Sequence, residues 1–214
     1  LGATPDQDGV NFAVWSAHAT SVAVSLFDDG GRETARVRLP GRTGDVFHGH
    51  IGGIGVGARY GIRAFGPFDP ARGHRFNPDK LLVDPYAAAI DAPFRLHPDL
   101  FGGPADTAPL VPKSIVTAPP PALPAPRHFA WDRQVIYELH VRGFTMRHPA
   151  IPADIRGTFA GLGHPAAIAH LQRLGVTAVE LLPCAAWCDE RHLPPLGLTN
   201  YWGYNPVAML APDP

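Results

Sequence analysis

Residues 135–145 read VIYELHVRGFT, and residues 164–183 read HPAAIAHLQRLGVTAVELLP. The first stretch opens on β-branched and aromatic residues, turns polar and meets a glycine. That is the pattern of a buried parallel strand, residues 135–141, ending in a working loop. In the second stretch Ile168, Leu171 and Leu174 share one helical face, which predicts a helix over residues 165–174. Pro165 suits a first helical turn and Gly175 the position just past the end. Residues 176–182 are then a second buried strand, closed by Pro183. Strand, helix and strand within about fifty residues demand a parallel pair joined by a right-handed crossover. This back part of the chain is therefore α/β.

The front part follows another period. Large apolar residues alternate at Val10, Phe12 and Val14, at Val22, Val24 and Leu26, and at Ala35, Val37 and Leu39. Asp28-Asp29-Gly30-Gly31 is a hairpin turn signal. Residues 46–51 and 58–65 complete five short strands, which predict a β-sandwich. Residues 80–86 add a last strand or an ordered strap, and residues 87–111 read as irregular. Pro119-Pro120-Pro121, Pro124 and Pro126 mark residues 112–134 as a stiff connector. The expected organisation is thus a sandwich module over 1–111, the connector, and an α/β portion over 135–214.

Composition narrows the partners. Eighteen basic residues against nineteen acidic ones leave a net charge of -1, without the basic footprint of a nucleic-acid or acidic-membrane binder. Neutral ligands such as sugars fit at least as well. Pro 25 and Gly 23 make up just under the ~25–30% expected of disorder, and with 45% hydrophobic residues they are better read as turns. No run approaches the ~18 apolar residues of a membrane span. Leu1-Gly2-Ala3-Thr4 is not a signal peptide, and both ends read as the interior of a longer frame. The only cysteines, Cys184 and Cys188, make no disulfide framework, which suggests a reducing, cytoplasmic setting.

Several side chains are candidates for chemistry. Tyr201-Trp202-Gly203-Tyr204-Asn205-Pro206 follows the second α/β strand. Aromatic rings there offer a sugar a flat apolar partner, and the glycine lets backbone come close; packed aromatics are the structural alternative. Glu138 and Glu180 look like a carboxylate pair, but both lie within strands. An ion pair or hydrogen-bond network is the favoured reading, with His140 on the same side as Glu138. Cys184, Cys188 and His192 are spaced by four but lack a fourth ligand, so buried free thiols are preferred over a metal site. Asp189-Glu190-Arg191-His192 reads as a solvated charge cluster, and Trp15 and Trp131 as core or interface rather than sugar platforms.

Four stretches together carry a resemblance: residues 60–90, 135–145, 157–183 and 189–206, with RGHRFNP, HPAAIAHLQRLGVTAVELLP and TNYWGYNP in that order. The chain resembles the N-terminal part of isoamylase-type bacterial glycogen debranching enzymes, of the α-amylase superfamily. The resemblance implies an immunoglobulin-like β-sandwich of the carbohydrate-binding module 48 type, then the first part of a (β/α)8 barrel that hydrolyses α-1,6 branches. It implies an α-glucan partner (glycogen, limit dextrin or malto-oligosaccharide) and no metal or organic cofactor. Tyr204 becomes the ring stacked on the sugar beside the scissile bond, with Trp202 and Tyr201 as cleft wall. The charged cluster at 189–192 shapes the loop over the cleft, while Arg72, His74 and Arg75 tie module to barrel. The family's nucleophilic aspartate, acid/base glutamate and third-strand histidine motif would lie beyond residue 214, so the chain alone is expected to be inactive. The alanine- and proline-rich connector is a departure from the family. A non-catalytic α-glucan-binding module, or a branching or trehalose-releasing enzyme of the same superfamily, are the alternatives.

Overall fold

A computed structural model describes residues 1–125 and 128–214; Pro126, expected in the connector, lies outside them. The chain forms two compact units, one of Leu1–Pro120, Ala185–Asn200 and Asn205–Pro214, the other of Pro121–Cys184 and Tyr201–Tyr204. The architecture is mostly β, with one parallel β–α–β unit.

In the first unit, β1 (Gly2–Pro5), β2 (Gly9–Trp15), β3 (Ser21–Phe27), β4 (Glu33–Arg38), β5 (Gly41–Thr43), β6 (Val46–Gly52) and β7 (Arg59–Phe65) run antiparallel. A small hairpin of two-residue strands, β8 (Phe68–Asp69) with β9 (His74–Arg75), follows, and β10 (Ser114–Ile115) closes the second sheet. The sheets are ordered β1-β2-β6-β5 and β10-β7-β3-β4. Alternation explains the core: Val10, Phe12, Val22, Val24, Tyr60 and Ile62 point inward and are buried, and Phe12 meets Tyr60 edge-on at 5.1 Å. The five expected strands are present. β1 and β5 are too short for a period of two to register in the sequence.

The connector begins later than expected. Ser114 is buried in β10, and Val116 belongs to the core, bonded in both directions to residues 57 and 58. Only the proline-bearing part departs from the sandwich, because Pro119 is the first residue after β10 that cannot donate to a ladder.

The outer face of the second sheet is covered too. Residues 80–86 form a strap, meeting β7 through a single bridge at Ile62 and Leu82. Gly61 permits this approach, since a Cβ there would come within 2.6 Å of Leu81. Arg63, wholly buried in β7, pins the cover down. Its guanidinium donates to Ser25 Oγ (3.0 Å), Pro78 O (2.9 Å), Glu33 (2.6 Å) and Asp106 (3.0 Å). Tyr60 donates to buried Asp84 at 2.8 Å. Burial pushes the Asp84 carboxyl above its ordinary pKa despite that bond.

Residues 185–187 and 206–212, expected within the α/β portion, instead form an antiparallel hairpin in the first unit. Its strands are β13 (Ala185–Trp187) and β14 (Pro206–Pro212). Ala186, Ala208 and Ala211 pack with Ala87 and Ile90 in a small core. Alanines bury little area each, so hydrophobic periodicity misses such a core.

The second unit holds β11 (Ile136–Leu139) and β12 (Ala178–Leu181), with α1 (Val141–Thr145), α2 (Phe159–Leu162) and α3 (Pro165–Arg173) between them. The strands pair in parallel, Ile136 opposite Ala178 through Leu139 opposite Leu181. α3 begins at Pro165, capped by His164, and Gly175 past its end has φ 72°. The first strand is shorter than read: His140 caps α1, taking Val141 into the helix. The apolar face of α3 is open, with Ile168 and Leu174 exposed and Ala167 its buried residue. Trp131 is also exposed, not core. No helix among the described residues is long and apolar enough to cross a membrane.

Candidate functional site

The end of β11 and the segment Tyr201–Tyr204 come together in the second unit. Three rings stand open to solvent, with relative exposures of 52% for Tyr201, 54% for Trp202 and 66% for Tyr204. Backbone geometry presents them. Gly203 has φ +77°, and a Cβ on it would lie 2.7 Å from Pro183 O, so only glycine fits the turn between Trp202 and Tyr204. Tyr201 and Trp202 meet edge-on at 5.8 Å. The aromatic loop predicted from the sequence is thus exposed rather than packed away.

His140, placed by sequence beside Glu138, turns to this loop instead. Its ring stacks on Tyr201 at 4.5 Å and 7°, and touches Trp202 edge-on at 6.0 Å. Nε2 lies 2.8 Å from Tyr201 O, while Nδ1 accepts from Gly143 N at 3.1 Å. The only hint in the sequence is a histidine where a strand gives way to a helix.

Glu138 and Glu180 stand directly opposite each other across the parallel pair, both exposed. Among the described residues neither side chain makes an ion pair or hydrogen bond, so no side-chain network joins them there. Two like charges facing across strands repel, and nothing in the sheet supplies a cation beside them.

The flanks of the aromatic loop are anchored within the first unit. Asn200 donates its backbone N–H to Asp189 (2.7 Å) and its side-chain amide to Glu190 (3.1 Å). Asn205 donates to Cys188 Sγ at 3.2 Å, and Arg191 lies over Phe101 at 3.6 Å. Asp189 and Glu190 thus hold Asn200, while Arg191 and His192 remain exposed. Cys184 is half-buried and Cys188 buried, both free. Burial, reinforced by Glu190 and Asp189, pushes the Cys188 thiol upward in pKa, away from a reactive thiolate. Among the described residues no group of three or more His, Cys, Asp and Glu could hold a metal ion.

Trp15, read as core or interface, is exposed. With Tyr86, Met209 and Leu210 it lines an apolar groove of about 510 Å³ in the first unit. Arg72 and Arg75 are exposed on the small hairpin, and His74 packs against His18 at 4.7 Å. Among the described residues none of the three forms an ion pair.

Residues 1–87 match the family model "Carbohydrate-binding module 48 (Isoamylase N-terminal domain)". Over 98% of its length the chain is 52% identical to a glycogen debranching enzyme of Cronobacter sakazakii, of which it covers 33%. Over its whole length it is 50% identical to a glycogen debranching enzyme of Salmonella typhi, of which it covers 34%. The chain thus spans about a third of the length of these relatives. All of it aligns with the structure of the GBS pullulanase SAP in complex with maltotetraose. That match has a TM-score of 0.70 and 25% identity and covers 28% of that chain. Its front 87 residues match the isoamylase-type carbohydrate-binding module 48, and over nearly its whole length the chain is similar, at about half its positions, to a stretch spanning about a third of these glycogen debranching enzymes.

Proposed function

We propose that this chain is the front of a glycogen debranching enzyme that hydrolyses α-1,6-glucosidic branches in glycogen and limit dextrins, acting in the cytoplasm. The observation that carries the reading is the 52% identity to a glycogen debranching enzyme over 98% of the chain. On this reading the parallel pair β11 and β12 with α3 opens a (β/α)8 barrel, preceded by the sandwich module and connector. Barrel chemistry takes place at the C-terminal ends of the strands. His140 and the exposed rings of 201–204 occupy that end, which supports a sugar-binding wall there. Tyr204 stacks on the glucose beside the bond to be broken, and Trp202 and Tyr201 flank it.

The reaction is a double displacement. One carboxylate attacks the anomeric carbon and a second acid protonates the leaving oxygen; water then completes hydrolysis with retention. Glu138 and Glu180 do not serve, because they lie within the strands and not at the ends where substrate enters. The carboxylates belong to the two thirds of the relatives that this chain does not span. The chain alone therefore binds α-glucan without cleaving it.

Two assays test this. The 214-residue chain should be retarded in a glycogen-containing native gel and lose that retardation on Tyr204→Ala, while releasing no reducing sugar from glycogen. Unimpeded migration would overturn the binding half of the proposal, and reducing sugar the catalytic half. A purely glucan-binding role is the second reading, favoured by the match of residues 1–87 to a carbohydrate-binding module. It predicts that a chain extended to the length of the relatives still releases no reducing sugar.

A further inference from the structure

We propose that His140 is the positioning residue of the aromatic loop, fixing the pose in which residues 201–204 meet an α-glucan. The inference rests on the glucan-binding reading of that loop and extends it to a residue that does not itself touch sugar. Both ring nitrogens of His140 are occupied, and by groups of opposite kind. Nδ1 takes the N–H of Gly143, so it presents a lone pair. Nε2 faces the carbonyl of Tyr201, which only accepts, so it carries the proton. The two bonds select one neutral tautomer and lock the ring plane between helix α1 and the loop.

The lock reaches the sugar-facing rings through a short path. The imidazole supports Tyr201 by stacking and by the bond to its carbonyl, and it borders Trp202 edge-on. Gly203, turned at φ +77° against Pro183 O, passes this constraint on to Tyr204. Gly143 completes the seat, since a Cβ there would lie 3.2 Å from Tyr201 Oη. An exposed aromatic loop without such a hold would have to order on binding, and that ordering would weaken the complex.

Two substitutions separate the two halves of the lock. In His140→Asn the amide oxygen sits where Nδ1 was and keeps the cap of α1, but nothing reaches the Tyr201 carbonyl. In His140→Gln the amide nitrogen sits where Nε2–H was and keeps the loop bond. Maltotetraose binding to the 214-residue chain, followed by calorimetry, should weaken about tenfold in His140→Asn, the effect of one lost hydrogen bond and its stack. It should recover to within about threefold of the parent in His140→Gln, with the same melting transition in all three proteins. A simple structural role for the cap predicts the reverse order, and equal affinity in His140→Asn and the parent would overturn the proposal.

A second readout does not need sugar. In the chain labelled with 5-fluorotryptophan, the Trp202 fluorine line, assigned by its loss in Trp202→Phe, should broaden in His140→Asn and stay narrow in His140→Gln. A narrow line in His140→Asn overturns the positioning role. If the parent binds no maltotetraose yet the line broadens as expected, the glucan reading fails and the loop lock stands.

Discussion

Replacing Arg63 by methionine tests how the covering strap is held on the sandwich. The guanidinium is wholly buried and satisfies Ser25, Pro78 O, Glu33 and Asp106 together. Methionine follows the apolar stem, so packing changes little and the loss is that of the charge and its bonds. Breaking a buried ion pair by removing one partner costs ~3–5 kcal/mol. The carboxylates here are 21% (Glu33) and 50% (Asp106) exposed, so water partly takes over, and we expect a loss of about 3 kcal/mol. At about 3–4 °C per kcal/mol, that lowers the melting temperature by roughly 10 °C. Thermal unfolding at neutral pH measures it. Hydrogen exchange at the amides of Leu81, which donates to Thr107 Oγ1, and Ala108, which donates to Asp106, should accelerate beyond that at β2 and β6.

Acid titration adds a check on sign. Burial raises the Glu33 pKa, but the bonds from Arg36 and Arg63 outweigh it and bring it down from 4.5 to about 2. A carboxyl depressed in the folded state contributes stability above its unfolded pKa, and that stability is lost as pH falls from 4.5 toward about 2. Arg63→Met should flatten this acid-induced loss, Arg36 and Ser25 remaining to sustain it. A melting temperature unchanged by the substitution, with an undiminished acid transition, would refute the view of Arg63 as the pin.

Other outcomes follow from the same geometry. Tyr60→Phe removes the donor to buried Asp84 and should cost about 1.5–3 kcal/mol, as for a hydrogen bond to a charged group. Because Asp84 titrates above its ordinary range, its charge destabilises as pH rises, so the Tyr60→Phe deficit should be larger at pH 7 than in acid, seen as a difference in melting temperature. Gly203→Ala forces a side chain into a left-handed turn 2.7 Å from Pro183 O. It should abolish retardation by glycogen while leaving the melting of the sandwich unchanged. Gly61→Ala drives a methyl into Leu81 and should lower the melting temperature by several degrees, as overpacking of ~1–3 kcal/mol does.

The regular, periodic part of the protein is legible in its residues alone. Alternation at residues 10–14 and 22–26 specified an inward face for each strand, since a slip of one residue would turn Val10, Phe12 and Val14 to water. The run 164–183 specified α3 and β12 through Pro165, Gly175 and a helical period, and the exposed aromatic loop was legible as a cluster of rings about a glycine. Features that depend on neighbours distant in sequence emerge only in the folded chain. Arg63 looks like an ordinary surface residue until Asp106 and Pro78 arrive to cover it. Val116 joins the core although prolines follow it closely. The alanine hairpin of β13 and β14 is held by contacts with Ala87 and Ile90 that no local period announces. His140 shows the difference most directly: a ring two residues beyond Glu138 by parity belongs with Glu138, yet one carbonyl sixty-one residues away turns it to the loop. Local propensity reads a residue's own backbone, whereas burial and hydrogen bonding are set by whichever segments the completed fold brings beside it.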